Sequence, residues 1–404
     1  MKKKAIPAKP VERRAILESA RQLKMARSAH AYVRGNTLQF YEWLMSPSAT
    51  TLPQGPTIWI CGDCHVGNLG PVANAEGEVE LEIRDLDQTV LGNPAHDLIR
   101  LGLSLATAAR GSDLPGVTTA RMMEQMMDGY QEALTRGAAK QTKKGEVSGP
   151  IQTILKRALR RRWKNLAEER IEDVRPQIPL GKHFWALSQE EKKELRELFK
   201  TEKVRKLVTS LRGRKDDSKI EIVDAAYWMK GCSSLGRLRY AVLLRVGKPK
   251  GVKGKYCLID IKEGVQAAAP RAAGSRVYRN HAERVTEGAL NLSPFLGERM
   301  LAAHLLERSV ILRELLPQDL KLEMESLTSD EAILAARHLA FVVGRAHGRQ
   351  MKPATKQKWL TVLKANRSKQ LDAPSWLWKS VVELVADHEA AYLEHCRKYA
   401  LQAS

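Results

Sequence analysis

The sequence predicts an α+β protein of two lobes with a long, largely helical insertion. Three observations carry this expectation. Short apolar runs bounded by Gly, Pro and Asn cluster at 57–92 and again at 239–263, the mark of strands joined by tight turns. Between them, 113–223 follows a helical and strongly basic pattern. A chain of 404 residues can bury a sizeable core and is expected to form two lobes, or two to three domains.

Taken in order, Ile16, Leu17, Ala20, Leu23 and Met25 fall near a 3.6 period, so 11–46 reads as helical, passing through His30 to Asn36 into Phe40, Tyr41, Trp43 and Leu44. Ser46-Pro47 and Pro53 to Pro56 mark a loop. Ile58 to Ile60 reads as a buried strand, and Val79 to Ile83, with alternating acids, as an arm of a hairpin. After the turn Gly92-Asn93-Pro94, an apolar helix starts near Asp97 and runs to about Ala109. Met122, Met123, Met126 and Met127 are most simply core filler. Ser188 with Glu191 makes a capping-box helix start. Arg239 to Val246 and Tyr256 to Glu263, separated by a Gly/Lys turn at Gly247 to Gly254, form a second hairpin. Helices are expected again at about 280–308, with a further strand at Val310 to Leu315. Thr328 with Glu331 opens a helix reaching Val343 to His347, and Ser375 to Tyr399 is a last amphipathic helix.

Hydrophobic content of 43% and charged content of 28% suit a soluble globular chain. No apolar run is long enough to span a bilayer, so no membrane span is expected. The basic start Met1-Lys2-Lys3-Lys4 has no apolar stretch behind it, so a secretory signal is not expected and the cytoplasm is the expected location. Five scattered cysteines fit reduced thiols. The formal charge of +21 implies attraction to polyanions: nucleic acid, an anionic membrane face or a phosphorylated ligand. The charge-dense stretches Lys156 to Lys164 and Lys192 to Lys215 lack the interleaved aromatics on which single-strand binders stack bases, and read as solvated helix faces.

The chemistry concentrates at Ile58-Trp59-Ile60-Cys61-Gly62-Asp63-Cys64-His65-Val66-Gly67-Asn68, followed by Asp85-Leu86-Asp87. Oxygen-bearing side chains on loops at strand ends hold hard cations such as Mg²⁺ beside phosphate. The plain alternative is a polar turn whose acids cap strands. Cys61-Gly62-Asp63-Cys64-His65 also fits the haem-attachment pattern C-x-x-C-H, but that chemistry normally needs export. Zinc lacks a second Cys/His pair at ligand spacing. Phosphoryl transfer fits better: an Asp that takes the hydroxyl proton, an Asn five positions on that holds metal, and a further Asp that chelates Mg²⁺. Asp63 and Asn68 stand at that spacing with His65 between them, and Asp85 with Asp87 follows the hairpin. A phosphate-cradling turn is expected at Gly231, Ser233, Ser234 and Gly236, with Lys262 on the next strand paired to Glu287, or else Glu283, on the next helix. Such a site would bring Lys262 within reach of Asp85.

At these residues the chain resembles the aminoglycoside-phosphotransferase branch of the kinase-like families, whose catalytic loop reads H-G-D-x-H-x-x-N. Over most of its length outside 113–222 it resembles an uncharacterised bacterial family, domain of unknown function number 2252. The shared marks are Tyr32-Val33-Arg34-Gly35, the Gly62 to Asn68 loop, Asp85-Leu86-Asp87, Ser233-Ser234-Leu235-Gly236, Lys262-Glu263, Pro294 to Gly297 and Arg345 to His347. The resemblance implies a circularly permuted kinase-like fold, with 1–112 as the catalytic-loop half, 113–223 a basic helical segment, 224–318 a nucleotide-covering sheet with a helix, and 319–404 returning to the catalytic side. It also implies ATP and Mg as cofactors, Asp63 as base, Asn68 and Asp85 as metal ligands, Lys262 on phosphate and Asp97 as a brace. Three positions depart from the pattern: Cys61 where the phosphotransferases have His, Leu86 where an aromatic is common, and Gly231-Cys232-Ser233 without a middle glycine.

The expected activity is phosphotransfer from ATP to an unidentified acceptor. Protein nucleotidyl transfer or nucleotide binding by a pseudokinase stand as alternatives, and a basic module for nucleic acid or membrane surfaces as the non-enzyme reading.

Overall fold

The computed structural model describes residues 10–136, 149–161, 166, 177–181, 183–211, 214–230, 235–247, 255–319, 327–365 and 373–399. The N-terminal helical region is three helices: α1 (Pro10–Met25), α2 (Ala29–Gly35) and α3 (Thr37–Leu44). Ser28 interrupts the first pair as an N-cap, its hydroxyl accepting from Ala31 N–H. Strands β1 (Ile58–Ile60), β2 (Leu69–Ala73), β3 (Val79–Ile83) and β4 (Val90–Gly92) follow, paired as β1–β4 and β2–β3. Helix α4 (Pro94–Gly111) starts where the turn residues predict, with Asn93 capping Ala95 N–H and Pro94 at the first helical position. Then come α5 (Gly116–Arg136), α6 (Gly149–Arg160), β5 (Phe184–Trp185), α7 (Gln189–Leu198) and α8 (Glu202–Thr209). Strands β6 (Lys219–Trp228), β7 (Arg239–Gly247) and β8 (Lys255–Glu263) lead into α9 (His281–Leu292) and the single turn α10 (Pro294–Gly297). Strands β9 (Met300–Leu305) and β10 (Arg308–Leu315) and helices α11 (Ser329–Gly348), α12 (Pro353–Ala365) and α13 (Ser375–Tyr399) complete the chain. Both expected capping boxes, Ser188 with Glu191 and Thr328 with Glu331, are present.

One sheet dominates, six antiparallel strands in the order β5-β6-β7-β8-β10-β9. Because side chains alternate across a strand, its two faces differ in kind. Tyr240, Val242, Leu244, Ile259, Ile261, Val310 and Leu312 point to one face, where they bury against α7, α8 and Leu17 of α1. Ala241, Leu243, Leu258 and Leu315 point to the other. Toward the end of that second face apolar residues give way to Arg239, Asp260, Lys262 and Arg313, brought level by the register Arg239↔Lys262, Ile311↔Lys262 and Arg313↔Asp260.

The larger core lies on the helical side, where α11 lies along α5. Gly129 permits that approach: a Cβ there would fall 2.0 Å from the Arg337 carbonyl oxygen. The stretch 113–223 is thus divided between two bodies, with α5 in the helical core and α7 and α8 on the sheet. The expected helical stretch at 280–308 ends at Gly297, and Met300–Leu305 is a strand instead. Its hairpin turns on Leu306 and Glu307, both at positive φ (50° and 58°), residues that carry no turn signature. Among the described residues no helix is long and apolar enough to cross a membrane.

Candidate active site

Pairing of β1 with β4, through Ile60↔Val90, sets the loop 61–68 beside the loop 84–89. A buried carboxylate holds the first loop from behind. Asp97, in the first turn of α4, accepts from Cys61 N–H at 2.7 Å and from Gly62 N–H at 2.9 Å. Behind it, His347 Nε2 lies 3.1 Å from Asp97 Oδ2, His347 Nδ1 lies 3.0 Å from Tyr130 Oη, and Trp359 Nε1–H donates to Tyr130 Oη at 3.1 Å. The indole can only donate, so the phenol oxygen accepts from it, and the imidazole links that phenol to the carboxylate through its two ring nitrogens. Gly62 sits at φ +77°, and a Cβ there would fall 2.3 Å from the Gln88 carbonyl oxygen. The loop therefore needs glycine for both conformation and space.

Asp63 accepts from Arg100 Nε–H at 2.9 Å, and Arg100 is anchored in turn on the Val33 carbonyl at 2.7 Å. Burial lifts the Asp63 carboxyl above its ordinary range, against the pull of Arg100. His65 Nε2 lies 3.9 Å from Asp63 Oδ2. Burial first, then Arg34 and Arg100, hold that imidazole well below its ordinary pKa, so it is neutral at neutral pH. Asn68 closes a 3-10 turn, Val66–Asn68, and its Nδ2–H donates to the Asp63 carbonyl at 3.0 Å. That bond fixes the carboxamide.

Lys262 completes the site from the sheet. Its Nζ lies 3.4 Å from Asp85 Oδ2, across 177 positions of sequence, and it also pairs with Asp87. Burial would raise Asp85, but Lys262, Arg313 and Arg239 hold it well below the usual carboxylate range. Burial and the neighbouring Asp85 charge push Asp87 the other way. Asp85 keeps 46% of its side chain open, so its oxygens remain reachable. Deeper on the same sheet face, Arg239 grips Asp260 with two bonds of 2.8 and 2.5 Å, and Arg313 Nε stands 3.7 Å from Asp260. The cleft between these groups has about 40 Å³ of room, enough for an ion or a water.

A family model described as an uncharacterised protein conserved in bacteria, domain of unknown function 2252 (DUF2252), matches residues 13–398. The chain belongs to the DUF2252 family. No curated protein and no solved structure matches it. Every residue of the DUF2252 site lies within the matched span.

Of the residues singled out in the DUF2252 sequence, Asp63, His65 and Asn68 gather in one loop and Asp85, Asp87 and Lys262 around the next, with the Asp85 charge felt at Asp63. Glu287 does not join them. It accepts from Tyr278 Oη at 2.6 Å and lies 3.5 Å from Arg276. The reason is the phase of α9: Ala282, Val285, Gly288 and Ala289 form its buried face together with Arg284, which leaves Glu283 and Glu287 on the opposite side. Gly231, Ser233 and Ser234 lie outside the described residues. Gly236, at φ +91°, has open space where a Cβ would be. Arg100, Arg239 and Arg313 were missed from the sequence. Arg100 carried a usable signal, a charge on the apolar side of a helix three residues after Asp97.

Proposed function

We propose that this DUF2252 protein is a kinase-like phosphotransferase with circularly permuted parts, using ATP and Mg²⁺ on an unidentified acceptor. The observation that carries the reading is the meeting of Lys262 with Asp85 and Asp87, since a kinase site needs a strand lysine and a metal-binding aspartate on one phosphate cluster. The order of parts supports it: a glycine turn expected between β6 and β7, a lysine on the following strand β8, a helix, two further strands, and then helix α11 leading in space to the Asp63 loop.

The residues fit the metal. Among the described residues no three His, Cys, Asp or Glu side chains converge to hold an ion alone, and Mg²⁺ beside phosphates needs only one or two protein oxygens. Asn68 Oδ1 and Asp85 would supply them, with Asp87 beside them. Bound there, Mg²⁺ would neutralise charge on the phosphate oxygens. Lys262 would leave Asp85 for the phosphates. Asp63 would take the acceptor hydroxyl proton as the acceptor oxygen bonds to the γ-phosphorus and the β–γ anhydride bond breaks, releasing ADP. Calorimetry with ATP and Mg²⁺ on the wild type and Asp85→Ala tests the reading. Metal-dependent binding lost in the variant supports it; no such binding in the wild type overturns it.

One observation favours a second reading. In the kinase strand motif V-A-I-K, a small residue stands two before the lysine on the same face. Here that position is Asp260, locked to Arg239, which puts a charged pair where an apolar base would rest. A nucleotide held in reversed polarity would then donate its nucleotidyl group, with pyrophosphate leaving. Label reaching the acceptor from α- rather than γ-labelled ATP distinguishes the two.

A further inference from the structure

The loop 264–280, between β8 and α9, runs alongside β4. Ala272 N–H donates to the Leu91 carbonyl at 2.7 Å, and Gln88 Oε1 accepts from Ala268 N–H and Ala269 N–H at 2.7 and 3.3 Å. Beneath this loop lies a cavity of about 180 Å³ separate from the Lys262 cleft. Three arginines, Arg271, Arg276 and Arg284, line it together with the imidazole of His281, and no acidic side chain does. Trp59 and Tyr278, with ring centroids 5.8 Å apart, make its apolar wall.

Arg284 is the informative member. It is 5% exposed, on the buried face of α9. Its Nη groups donate to backbone carbonyls, to Thr89, to Asp87 at 2.7 Å and to Val265 at 2.9 Å. Its Nε is buried without a hydrogen-bond partner, and no carboxylate of the described residues pairs with it. A buried cation with only the Asp87 charge acting on it, outside ion-pair reach, is a costly arrangement, and its unpartnered Nε on a residue lining a cavity is open to a ligand atom. At the rim, Arg271 leans on the Ser275 carbonyl at 2.8 Å, and Arg276 lies 4.5 Å over the Tyr278 ring and 3.5 Å from Glu287, a pair a guest anion would have to displace, with 64% of its side chain exposed. Both can turn toward a guest without disturbing the core.

We propose that this cavity binds a small phosphate-bearing anion, held from below by Arg284 and from the rim by Arg271 and Arg276. Three guanidinium groups offer more donors than a carboxylate can use, whereas a tetrahedral oxyanion with three free oxygens uses them. The volume equals roughly six waters. That exceeds a bare phosphate ion and leaves room for an organic part against Trp59 and Tyr278. Arg284 also anchors the carbonyls of Asp87 and Thr89, so the guest would touch the side chain that steadies the acidic loop.

Calorimetry with inorganic phosphate and with phenyl phosphate, at fixed ionic strength, tests the site. Three proteins are compared: wild type, Arg271→Ala/Arg276→Ala, and the cleft variant Asp85→Ala/Lys262→Ala. The expected result is one-to-one binding, tighter for phenyl phosphate, weakened about tenfold or more in the rim variant and unchanged in the cleft variant. Acetate should not compete. Absence of saturable binding in the wild type, binding that survives the rim variant, or binding lost in the cleft variant would each overturn the assignment. The outcome is independent of whether the Lys262 cleft transfers phosphate.

Discussion

His347 Nε2 lies 3.1 Å from Asp97 Oδ2, and neither side chain has any exposed surface. One comes from the end of α11 and the other from the start of α4, 250 positions apart. Together they fix the two amides that hold the Asp63 loop. Removing the imidazole in His347→Ala leaves a buried carboxylate and a buried phenol each short of a partner. The expected cost is about 2–4 kcal/mol, read as a lower denaturation midpoint. A midpoint unchanged within error would mean that the chain of bonds does not brace the loop.

Glu82 gives a pH signature. Burial raises its carboxyl to about 7, against the partial compensation of Arg349 and Arg345. A raised carboxyl favours the fold while it is protonated. That contribution is complete below the unfolded value, about 4.3, and is lost as pH rises through about 7. Glu82→Gln should therefore match the wild type near pH 4 and exceed it at pH 8, by up to about 3 kcal/mol. Urea unfolding of both proteins at the two pH values checks the sign.

Gly62→Ala places a methyl against the Gln88 carbonyl oxygen at a positive φ. The left-handed conformation alone costs an alanine about 1–2 kcal/mol, and the clash adds to it. The variant should lose at least that much stability, and with it the metal-dependent nucleotide binding proposed for the cleft. Gly77, also at positive φ but with nothing within 4 Å, is the control, since Gly77→Ala carries the conformational cost without the clash.

Arg239 and Asp260 should prove strongly coupled. Removing either partner strands a buried charge, at about 3–5 kcal/mol, whereas replacing both with apolar residues is close to neutral. A double-mutant cycle with Arg239→Met and Asp260→Leu measures the coupling. If the pair also governs how a nucleotide lies, the double variant should shift label transfer from the α- toward the γ-phosphate.

The parts of the fold written in local chemistry were legible in the sequence. Asn93-Pro94 announced α4, the pairs Ser188/Glu191 and Thr328/Glu331 announced two helices, and the spacing of Asp63 and Asn68 singled out the loop. What was hidden is geometric. The Leu306-Glu307 turn uses residues that tertiary pairing, not propensity, forces to positive φ, so β9 read as helix. The partner of Lys262 was expected on α9, but a helix turns about 100° per residue, and the cap at Asn280 set a phase that buries Arg284 and turns Glu287 away. Arg239 and Asp260 looked like ordinary strand charges because their burial depends on a register that no single strand reveals.

The Asp97–His347 contact also orders events in time. A ribosome releases the Asp63 loop, its acidic neighbour and α4 by Gly111, yet their last brace emerges only with α11. Until then the loop's two amides share a carboxylate that lacks its imidazole, and Asp85 has no lysine to meet. Contacts this distant in sequence make folding slow and the early chain vulnerable. A nascent fragment ending before residue 262 carries both acids without the lysine they pair with, so the Lys262 cleft can assemble only once that residue has emerged.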